Sequence, residues 1–395
     1  MLIGLLGKPS CGKSTFFQAA TGMPVERASY PFTTIKPNHG VGYVRIECVD
    51  KELGVKCNPR SGYCIDSNRF IGVEMMDVAG LVPGAHEGKG LGNQFLDDLR
   101  QADILIHVLD ASGSANEKGE KITPGSYDPA NDVRFLEDEL NYWIKGILEK
   151  NLKKLTREQN VKKLEEVLFD QFTGLGISKD AVIKTLKELK LEEKRLETWT
   201  EEERYSFCKK MRYIGKPIII AANKADLPHA KENIEKIKKE FPEYIIVPCS
   251  AEAELSLKEA AKKGFVSYIP GNKEFKKLKE LNPQQEKAME FLSKFIKDYD
   301  QGTGVQDVLN TAVFKLLGYI AVFPGGIHKL EDSQGRVLPD VFLLPPDSNA
   351  KDFAATIHTD LAENFVKAID VKTKKPMGAD HKLNHRDVIE IMFSK

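Results

Sequence analysis

Residues 7–14 read Gly-Lys-Pro-Ser-Cys-Gly-Lys-Ser and directly follow the apolar run Leu2–Leu6. A short buried strand, this glycine-rich turn and a helix from about Ser14 to Ala20 form the setting in which the spacing G-x-x-x-x-G-K-S binds phosphate. The glycines let main-chain N–H groups approach an anion closely, and the helix directs its positive N-terminal end at the same anion. The stretch therefore predicts a phosphate loop at the end of the first strand.

The side chains and the main chain of this loop have separate predicted roles. Lys13 is expected to reach the β- and γ-phosphates of a bound nucleotide, and the Ser14 hydroxyl is expected to bind Mg²⁺. The residues predicted to contact the nucleotide are Gly7, Lys8, Pro9, Ser10, Cys11, Gly12, Lys13, Ser14 and Thr15.

Composition places the chain among globular proteins and excludes several other classes. Its 395 residues suffice for two or three domains, and 41% of them are hydrophobic and 29% charged. Lys and Arg number 58, as do Asp and Glu, so net charge draws the whole chain to neither nucleic acid nor membrane. No apolar stretch approaches the roughly 18 residues of a membrane span, and Leu2–Leu6 is too short for a signal peptide. We therefore expect a cytoplasmic protein with no membrane partner.

Apolar runs alternate with helical patterns through residue 250. Such alternation predicts a parallel sheet with helices on both faces, which is a doubly wound α/β fold. Ligands bind such sheets at the carboxyl ends of the strands, so polar residues at those ends are candidates for function. The predicted strands are Leu2–Leu6, Val73–Asp77, Ile104–Asp110, Pro217–Asn223 and Ile245–Cys249, and further helices are predicted at Leu91–Arg100 and His229–Glu240.

Two short motifs supply candidate magnesium ligands. Asp77-Val-Ala-Gly80 follows a predicted strand, so the Asp77 carboxylate can hold Mg²⁺ through water while the Gly80 N–H approaches a γ-phosphate. Thr34 lies in Tyr30-Pro-Phe-Thr-Thr and can add its hydroxyl to Mg²⁺, although two β-prone residues entering a strand explain this segment equally well. The predicted metal ligands are Ser14, Thr34 and Asp77, and the candidate catalytic residues are Lys13, Gly80 and His86.

Asn223-Lys-Ala-Asp226 closes a predicted strand and is a candidate for base recognition, with a solvated surface turn as the alternative. The Asp226 carboxylate can accept hydrogen bonds from N1–H and the exocyclic amine of guanine, whereas adenine offers neither donor there. Asn223 would tie this loop to the phosphate loop, and the Lys224 stem would cover the base. A weaker pattern after the next strand predicts main-chain contacts to the guanine carbonyl from Ser250, Ala251 and Glu252.

Three of the six cysteines, Cys48, Cys57 and Cys64, lie close together in the sequence. Asn58-Pro-Arg-Ser-Gly, between the last two, reads as a tight turn. A metal site or a redox pair is one interpretation of the trio, and plain loop cysteines are the other. The x6 spacing is not a standard zinc spacing and no fourth ligand is obvious, so the pattern favours plain loop cysteines.

The long stretch between Asp110 and Pro217 reads as a helical insertion. Within it, Leu164, Val167 and Phe172 recur at helical spacing and predict one buried face. Its predicted helices are Asp132–Leu148, Arg157–Phe172, Lys179–Leu189 and Glu201–Tyr213. Trp143 and Trp199 are expected to pack in its core rather than to stack on bases.

The C-terminal part reads as a helical connector followed by a β-rich unit. A single long helix among several short strands suggests a ubiquitin-like β-grasp fold. The predicted elements are a helical connector over Pro283–Leu317, strands Tyr319–Val322, Val341–Leu344, Ala368–Val371 and Val388–Phe393, and a helix near Ala350–Ala362. The predicted domains are a discontinuous P-loop domain over 1–130 and 213–280, the insertion over 131–212, the connector over 281–317 and the β-grasp domain over 318–395.

Taken together, these motifs resemble the Obg superfamily of GTPases. The longest matching segments are Tyr30-Pro-Phe-Thr-Thr-Ile-Lys-Pro-Asn and Asp77-Val-Ala-Gly-Leu-Val-Pro-Gly-Ala-His-Glu-Gly-Lys-Gly-Leu-Gly-Asn-Gln-Phe-Leu. Obg proper carries a glycine-rich domain ahead of its G domain, whereas this sequence starts at the first strand, so it resembles the YchF-type Obg-like group instead. The group joins a P-loop G domain to a helical insertion and a C-terminal TGS domain, and Asp340–Leu361 resembles a TGS domain.

The resemblance implies nucleotide hydrolysis linked to RNA or ribosomes, with GTP or GDP and Mg²⁺ as ligands. Many YchF-type proteins replace the fourth motif and prefer ATP, whereas this chain keeps Asn223 and Asp226, so we expect GTP. Obg relatives usually carry Asn where Ser10 stands here, and that Asn is associated with potassium-assisted hydrolysis. Potassium dependence is therefore not implied for this chain.

Slow intrinsic turnover is expected, because Leu81 stands beside Gly80 where Ras-like switches carry a water-orienting Gln. A cation, a partner or His86 would then have to position the water, and an ordinary surface histidine is the alternative reading of His86. Two other functions stay open, namely an ATPase of the same family and an RNA- or ribosome-binding adaptor with a structural nucleotide. The nearly balanced charge of residues 318–395 gives no electrostatic support for RNA binding.

Overall fold

The computed structural model describes residues 1–23, 38–78, 99–299 and 301–394. The chain divides into two compact units. The first comprises Met1–Gly40 and Glu74–Val308, and the second comprises Val41–Val73 and Leu309–Lys395. Within the described ranges, no helix is long and apolar enough to cross a membrane.

The large sheet is parallel at its centre, as the alternating pattern predicted. Its strands are β1 (Leu2–Leu6), β2 (Asn38–Glu47), β3 (Tyr63–Ile65), β4 (Asn68–Asp77), β5 (Ile104–Asp110), β6 (Ile218–Asn223) and β7 (Ile245–Pro248). The strand order is β2-β4-β1-β5-β6-β7, with β3 paired to β4. Parallel pairing of β4, β1, β5, β6 and β7 brings the carboxyl ends of these strands to one edge.

Every residue of β5 and β6 is buried, which explains why these strands read as unbroken apolar runs. Three helices of the first unit complete this βα arrangement. They are Lys13–Thr21, Ala230–Glu240 and Ala251–Lys262. Phe16 and Phe17 are buried on the first of them, and burial of such a side chain contributes roughly 1.5–3 kcal/mol. A short antiparallel pair, β8 (Val266–Ser267) and β9 (Lys276–Lys277), follows.

The insertion is helical, as predicted, and shares one continuous hydrophobic core with the sheet. Its helices are Ala130–Glu158, Leu164–Phe172, Lys179–Glu188 and Glu201–Gly215. The predicted face of Leu164, Val167 and Phe172 is buried, and Trp143 and Trp199 pack in the same core. This shared core explains why the insertion belongs to the first unit instead of forming a separate one.

The connector predicted over Pro283–Leu317 is helical for most of its length, but it consists of three consecutive segments. Helix Pro283–Asp298 ends before a turn, helix Val305–Asn310 follows, and Thr311–Leu316 is π-helical. Gly304 in the turn has φ +80°, and a Cβ there would lie 2.0 Å from the Pro248 carbonyl oxygen. This close approach places the turn against the residue that ends β7.

The second unit contains the predicted β-grasp-like sheet. Its strands are β10 (Ile320–Pro324), β11 (Phe342–Leu344), β12 (Phe365–Asp370), β13 (Pro376–Met377) and β14 (Val388–Phe393), in the order β11-β10-β14-β12-β13. Strands β10 and β14 are parallel, while the other pairs are antiparallel. Val322, Phe353 and Ile389 are fully buried in the core of this sheet.

The single long helix predicted near Ala350–Ala362 is two helices, Ala350–Ile357 and Thr359–Glu363. His358 separates them with extended backbone, φ −164° and ψ 141°, and its Nδ1 accepts from the Asp360 N–H at 3.2 Å. The first helix begins with a capping box between Asn349 and Asp352, a feature that stabilises a helix start by roughly 1 kcal/mol.

Residues 41–73 belong to the second unit, although we predicted them to be part of the N-terminal P-loop domain. The fully buried Arg69 explains this grouping, because its guanidinium donates to the carbonyls of Leu338 and Pro339 at 3.1 and 2.8 Å. The Asn58 N–H donates to the Val337 carbonyl at 2.8 Å and extends the same connection. These bonds join residues far apart in the chain, which local patterns do not indicate.

Candidate nucleotide site

The backbone of the phosphate loop has close approaches and positive φ angles that suit glycine. Gly7, with φ +156°, lies so close to β5 that a Cβ would be 2.5 Å from the Val108 carbonyl oxygen. Ser10 and Gly12 both have left-handed φ, +64° and +90°. Successive turns of this kind direct main-chain N–H groups into one concave anion-binding surface.

The helix that follows the loop begins at Lys13 without a side-chain cap or an acidic residue in its first turn. Its first N–H groups and its positive dipole end therefore face the concave surface without a competing carboxylate on the helix itself. Thr15, in the same first turn, is half-buried. This arrangement can bind a phosphate group.

Lys13 and Ser14 lie beside Asp77 at the ends of β1 and β4. Leu5 pairs with Asp77 across the two strands, and this register places the carboxylate next to the loop. The Lys13 ammonium forms an ion pair with Asp77 Oδ1, and Ser14 Oγ lies 3.4 Å from Asp77 Oδ2. The Asp77 side chain is 1% exposed, so a positive charge beside it offsets the cost of burying a carboxylate. Its oxygens and the Ser14 hydroxyl are hard donors of the type that Mg²⁺ prefers, and this donor set fits the ion.

Asn223 joins three loops at the end of β6. Its Nδ2 donates to the Cys11 carbonyl at 2.9 Å, and its Oδ1 accepts from the Ala251 N–H at 3.0 Å. Gly12 makes room for this amide, because a Cβ on Gly12 would lie 2.3 Å from Asn223 Nδ2. The Asn223 side chain is buried, so these bonds fix the phosphate loop relative to the segment that follows β7.

Asp226 is half-buried three residues after Asn223, and the turn between them is fixed by the main chain. The Ala225 N–H donates to the Cys249 carbonyl at 3.0 Å, and Lys224 has a left-handed φ of +59°. This turn sets the direction in which the chain leaves β6. The structure therefore brings Asp226 to the same sheet edge as the phosphate loop.

Asp110 is a residue of this edge that we did not predict. It ends β5, is fully buried, and accepts from the Lys224 ammonium at 2.9 Å and from Ser112 Oγ at 2.6 Å. The Lys224 ammonium also donates to Ser114 Oγ at 3.2 Å, so these two partners fix the position of the side chain. The signal was available, because Asp110 stands at the carboxyl end of a predicted strand.

After β7, main-chain N–H groups that we expected to contact a guanine carbonyl have partners within the protein. The Ser250 N–H donates to the Thr303 carbonyl at 2.9 Å, and the Ala251 N–H is bonded to Asn223. Ser250 Oγ caps the following helix by accepting from the Ala253 N–H at 3.2 Å, and Glu252 is exposed. Two of the three N–H groups expected to contact a guanine carbonyl thus already bind protein oxygens.

The side chains of Lys8, Pro9 and Ser10 contact residues within the segment 115–132, and the side chain of Cys11 is buried. The buried Lys8 ammonium lies 2.8 Å from the Ala115 carbonyl, 2.9 Å from Asp132 Oδ2 and 3.7 Å from the centre of the Tyr127 ring. Ser10 Oγ donates to the Gly119 carbonyl at 2.6 Å and Pro9 packs on Gly119, so both residues support the loop. Burial raises the pKa of the Cys11 thiol to about 12, so it stays neutral.

A small cavity of about 160 Å³ lies behind the loop, lined in part by Lys8, His107 and Asp132. Burial, with the nearby Lys8 charge as a second cause, lowers the pKa of His107 to about 3. The imidazole is therefore neutral at physiological pH. Three of the predicted site residues, Thr34, Gly80 and His86, lie outside the described residues, as does most of the predicted helix Leu91–Arg100.

Comparisons with known proteins match each region of the chain to a described family. Residues 2–139 match the family described as 50S ribosome-binding GTPase. Residues 221–325 match the G4 motif-containing domain of YGR210-like Obg-like GTPases, and residues 334–393 match the TGS domain.

Several relatives extend over most of the chain. A GTP-binding protein of Methanocaldococcus jannaschii is 49% identical over 393 residues, covering 99% of this chain and 98% of its own. A GTP-binding protein of Schizosaccharomyces pombe is 38% identical over 366 residues, covering 89% and 88%. The ribosome-binding ATPase YchF of Bacillus subtilis is 29% identical over 382 residues, covering 92% and 87%.

Solved structures agree with this similarity. A crystal structure of a GTP binding protein from Pyrococcus horikoshii OT3 matches with a TM-score of 0.77 and 36% identity over all of both chains. One family is indicated by the family matches, by the identity to relatives over most of the chain and by the shared fold. The chain belongs to the Obg-like family of P-loop NTPases that carry a C-terminal TGS domain.

Proposed function

We propose that the chain is a Mg²⁺-dependent GTPase switch with slow intrinsic turnover that acts with ribosomes or their RNA. The observation that carries the proposal is the bridge made by Asn223. Its amide connects the phosphate loop at Cys11 to the segment that contains Ala251. Asn223 itself ends β6 and stands three residues before Asp226. This bridge would keep a phosphate site and the carboxylate proposed to read the base at the same edge of the sheet.

The choice of GTP over ATP rests on Asp226. A carboxylate pairs with the N1–H and the exocyclic amine of guanine, and adenine would leave it unpaired at a cost of roughly 1–3 kcal/mol per lost bond. The two relatives with the higher identities carry GTP-binding in their names. The Bacillus subtilis relative is named an ATPase, so ATP is the competing substrate to be tested.

The chemistry follows from the residues at the loop. Lys13 would bind the β- and γ-phosphate oxygens, and Ser14 and Asp77 would hold Mg²⁺. The metal, when bound, neutralises charge on the phosphate oxygens. Since Leu81 cannot orient a water, we expect turnover to wait for a group from elsewhere, with Gly80, Thr34 and His86 as the residues of this chain proposed to act near the γ-phosphate.

A ribosomal partner is supported by two names and by the domain content. The family matched by residues 2–139 is described as ribosome-binding, and the Bacillus subtilis relative is named likewise. Co-sedimentation of the full chain with ribosomes, with GTP, GDP or no nucleotide, tests this part. Equal binding in all three states would favour an adaptor over a switch.

Nucleotide binding and hydrolysis are tested with the full chain and labelled GTP, GDP and ATP. Lys13→Ala should lower hydrolysis by about 100-fold or more, the usual effect of removing a group that stabilises developing charge. Lys239→Ala, an exposed lysine of the same unit, is the matched control and should leave hydrolysis unchanged. The proposal fails if the chain binds none of these nucleotides, or if Lys13→Ala hydrolyses at the wild-type rate.

A further inference from the structure

The loop between β2 and β3 is unusual in its length and its lack of regular structure. Residues 48–62 contain neither helix nor strand, and loops of about 15 such residues are uncommon unless something holds them. Cys48 opens this loop, Cys57 lies within it and Cys64 stands on β3. Asp66 and Ser67, with φ +47° and +58°, make the tight turn that returns the chain along β4.

The three sulfurs converge although their spacing in the sequence is irregular. One ligand atom each from Cys48, Cys57, Cys64 and Asp50 lies within 4.8 Å of all the others. The Cys48 and Cys57 sulfurs are 3.7 Å apart, much longer than the roughly 2.05 Å of a disulfide. Sulfurs bound to one tetrahedral zinc at about 2.3 Å lie about 3.8 Å apart, which this separation matches.

Asp50 supplies the fourth ligand that the cysteine spacing alone did not indicate. It lies two residues after Cys48 and is 4% exposed, so its carboxylate is buried among the thiols. Among the residues that the structure describes, no Lys, Arg or His forms an ion pair with Asp50, so hydrogen bonds alone offset the burial of its carboxylate. The bonds that it does accept come from main-chain N–H groups and neutral side chains, including the Lys51 N–H at 2.8 Å.

We propose that Cys48, Asp50, Cys57 and Cys64 bind one zinc ion in a closed structural site. Zinc favours thiolates in tetrahedral sites, and four protein ligands leave no open position for catalysis. On binding, the three thiols release their protons to solvent and each sulfur forms a bond to the metal. The outer contacts suit such a site, because the Asp50 N–H bonds to the Cys48 sulfur and the Cys57 N–H to the Asp50 carboxylate.

The site would fix the loop in the position that the second unit uses. The Asn58 and Arg60 N–H groups donate to the carbonyls of Val337 and Pro339 at 2.8 and 2.9 Å. The Arg60 guanidinium also binds Asp340 through two nitrogens, at 3.0 and 2.9 Å. Asn58 and Arg60, which make these bonds, stand one and three residues after Cys57. Zinc bound to Cys57 would therefore restrain both of them.

The test measures metal in the full chain, expressed with zinc and purified under reducing conditions without chelator. We expect about one zinc per chain by elemental analysis, and tetrahedral cobalt–thiolate absorption when Co²⁺ replaces zinc. Cys57→Ala and Asp50→Ala should each lower zinc content at least several-fold. Cys208→Ala removes a buried cysteine outside the cluster and should retain the metal.

The cobalt measurement uses the wild-type chain, so the test does not depend on whether a variant folds. The proposal is overturned if the reduced wild-type chain contains well under about 0.1 zinc and gives no cobalt–thiolate bands. It is also overturned if thiol titration of the denatured chain finds two fewer thiols than the six of the sequence until reductant is added, which indicates a disulfide instead. Occupation by iron alone would contradict the zinc assignment.

Discussion

Two groups of side chains are held in opposite ways. The first is the candidate nucleotide site, here called the nucleotide edge, with the phosphate loop, Asp77, Asn223 and Asp226. The second is the cysteine cluster of Cys48, Asp50, Cys57 and Cys64. At the nucleotide edge, neutral hydrogen bonds from Asn223 fix the loops, and the Lys13 charge already balances Asp77. In the cluster, three thiols and Asp50 face one another, and the structure describes no positive side chain paired with Asp50. The first arrangement should keep its shape without its ligand, whereas the second should need its ion.

Removal of the metal should produce the largest difference between the two units. Structural zinc contributes on the order of 10 kcal/mol to the folding of small zinc domains. Removing it should therefore unfold the loop around Cys57 and lower the protection of the second unit against hydrogen exchange. Hydrogen exchange should then rise in residues 41–73 and in the strands β10–β14. Strands β5 and β6 should keep their protection, and a uniform rise in both units would contradict the contrast.

Loss of the Asn223 amide should weaken the nucleotide edge by a smaller amount. Asn223→Ala removes one donated bond and two accepted bonds, one of them weak and from the Cys249 thiol, so we expect about 2–4 kcal/mol less stability of the first unit. Nucleotide affinity should fall as well, because the loops are no longer held before binding. Urea unfolding and calorimetric titration measure the two effects.

A matched control for that variant is Asn233→Ala. Asn233 donates a single bond, to the Ala111 carbonyl at 2.9 Å, and is only half-buried. Asn233→Ala should lower the stability of the first unit by about 1 kcal/mol and leave nucleotide affinity unchanged. Equal losses of affinity in both variants would mean that Asn223 does not act as a specific bridge.

The smallest predicted effect concerns His107 and pH. Because burial lowers the pKa of His107 to about 3, the unfolded chain binds a proton below about pH 6.5 that the folded chain does not. Stability of the first unit should therefore fall as pH drops from 6.5, by up to about 1.4 kcal/mol per pH unit from this group. His107→Asn should remove that part of the slope.

The comparison for the histidine is made by urea unfolding at pH 7 and pH 5. His229→Asn, a change at a histidine that is 54% exposed, should leave the wild-type slope in place. Identical slopes for wild type and His107→Asn would show that burial of the imidazole does not couple to folding.

The fold and the loops at the nucleotide edge were predictable where the signal lies in contiguous residues. Residues 7–14 specify a loop and the helix after it, and β5 and β6 read as buried strands because both their faces are covered. The family resemblance and the TGS domain are confirmed by the comparisons. In each case the information lies within a few neighbouring residues, which a local pattern can show.

The rest depends on contacts between residues far apart in the chain. Assignment of residues 41–73 to the second unit rests on bonds from Arg69 to carbonyls about 270 positions away. The turn at Gly304 lies against the Pro248 carbonyl, and the turned-away side chain of Lys8 follows from Asp132 and Tyr127. None of these partners is indicated by local spacing.

The central claim is that Asp226 selects guanine at an edge already joined to the phosphate loop. Competition of labelled GDP with unlabelled GTP, ATP and XTP, for wild type and Asp226→Asn, tests it most directly. We predict that GTP competes at least about 100-fold better than ATP for the wild type, since two bonds are lost with adenine. Asp226→Asn should shift the preference toward XTP, whose 2-carbonyl accepts from the amide. Equal competition by ATP and GTP, or an unchanged preference in Asp226→Asn, would contradict the account.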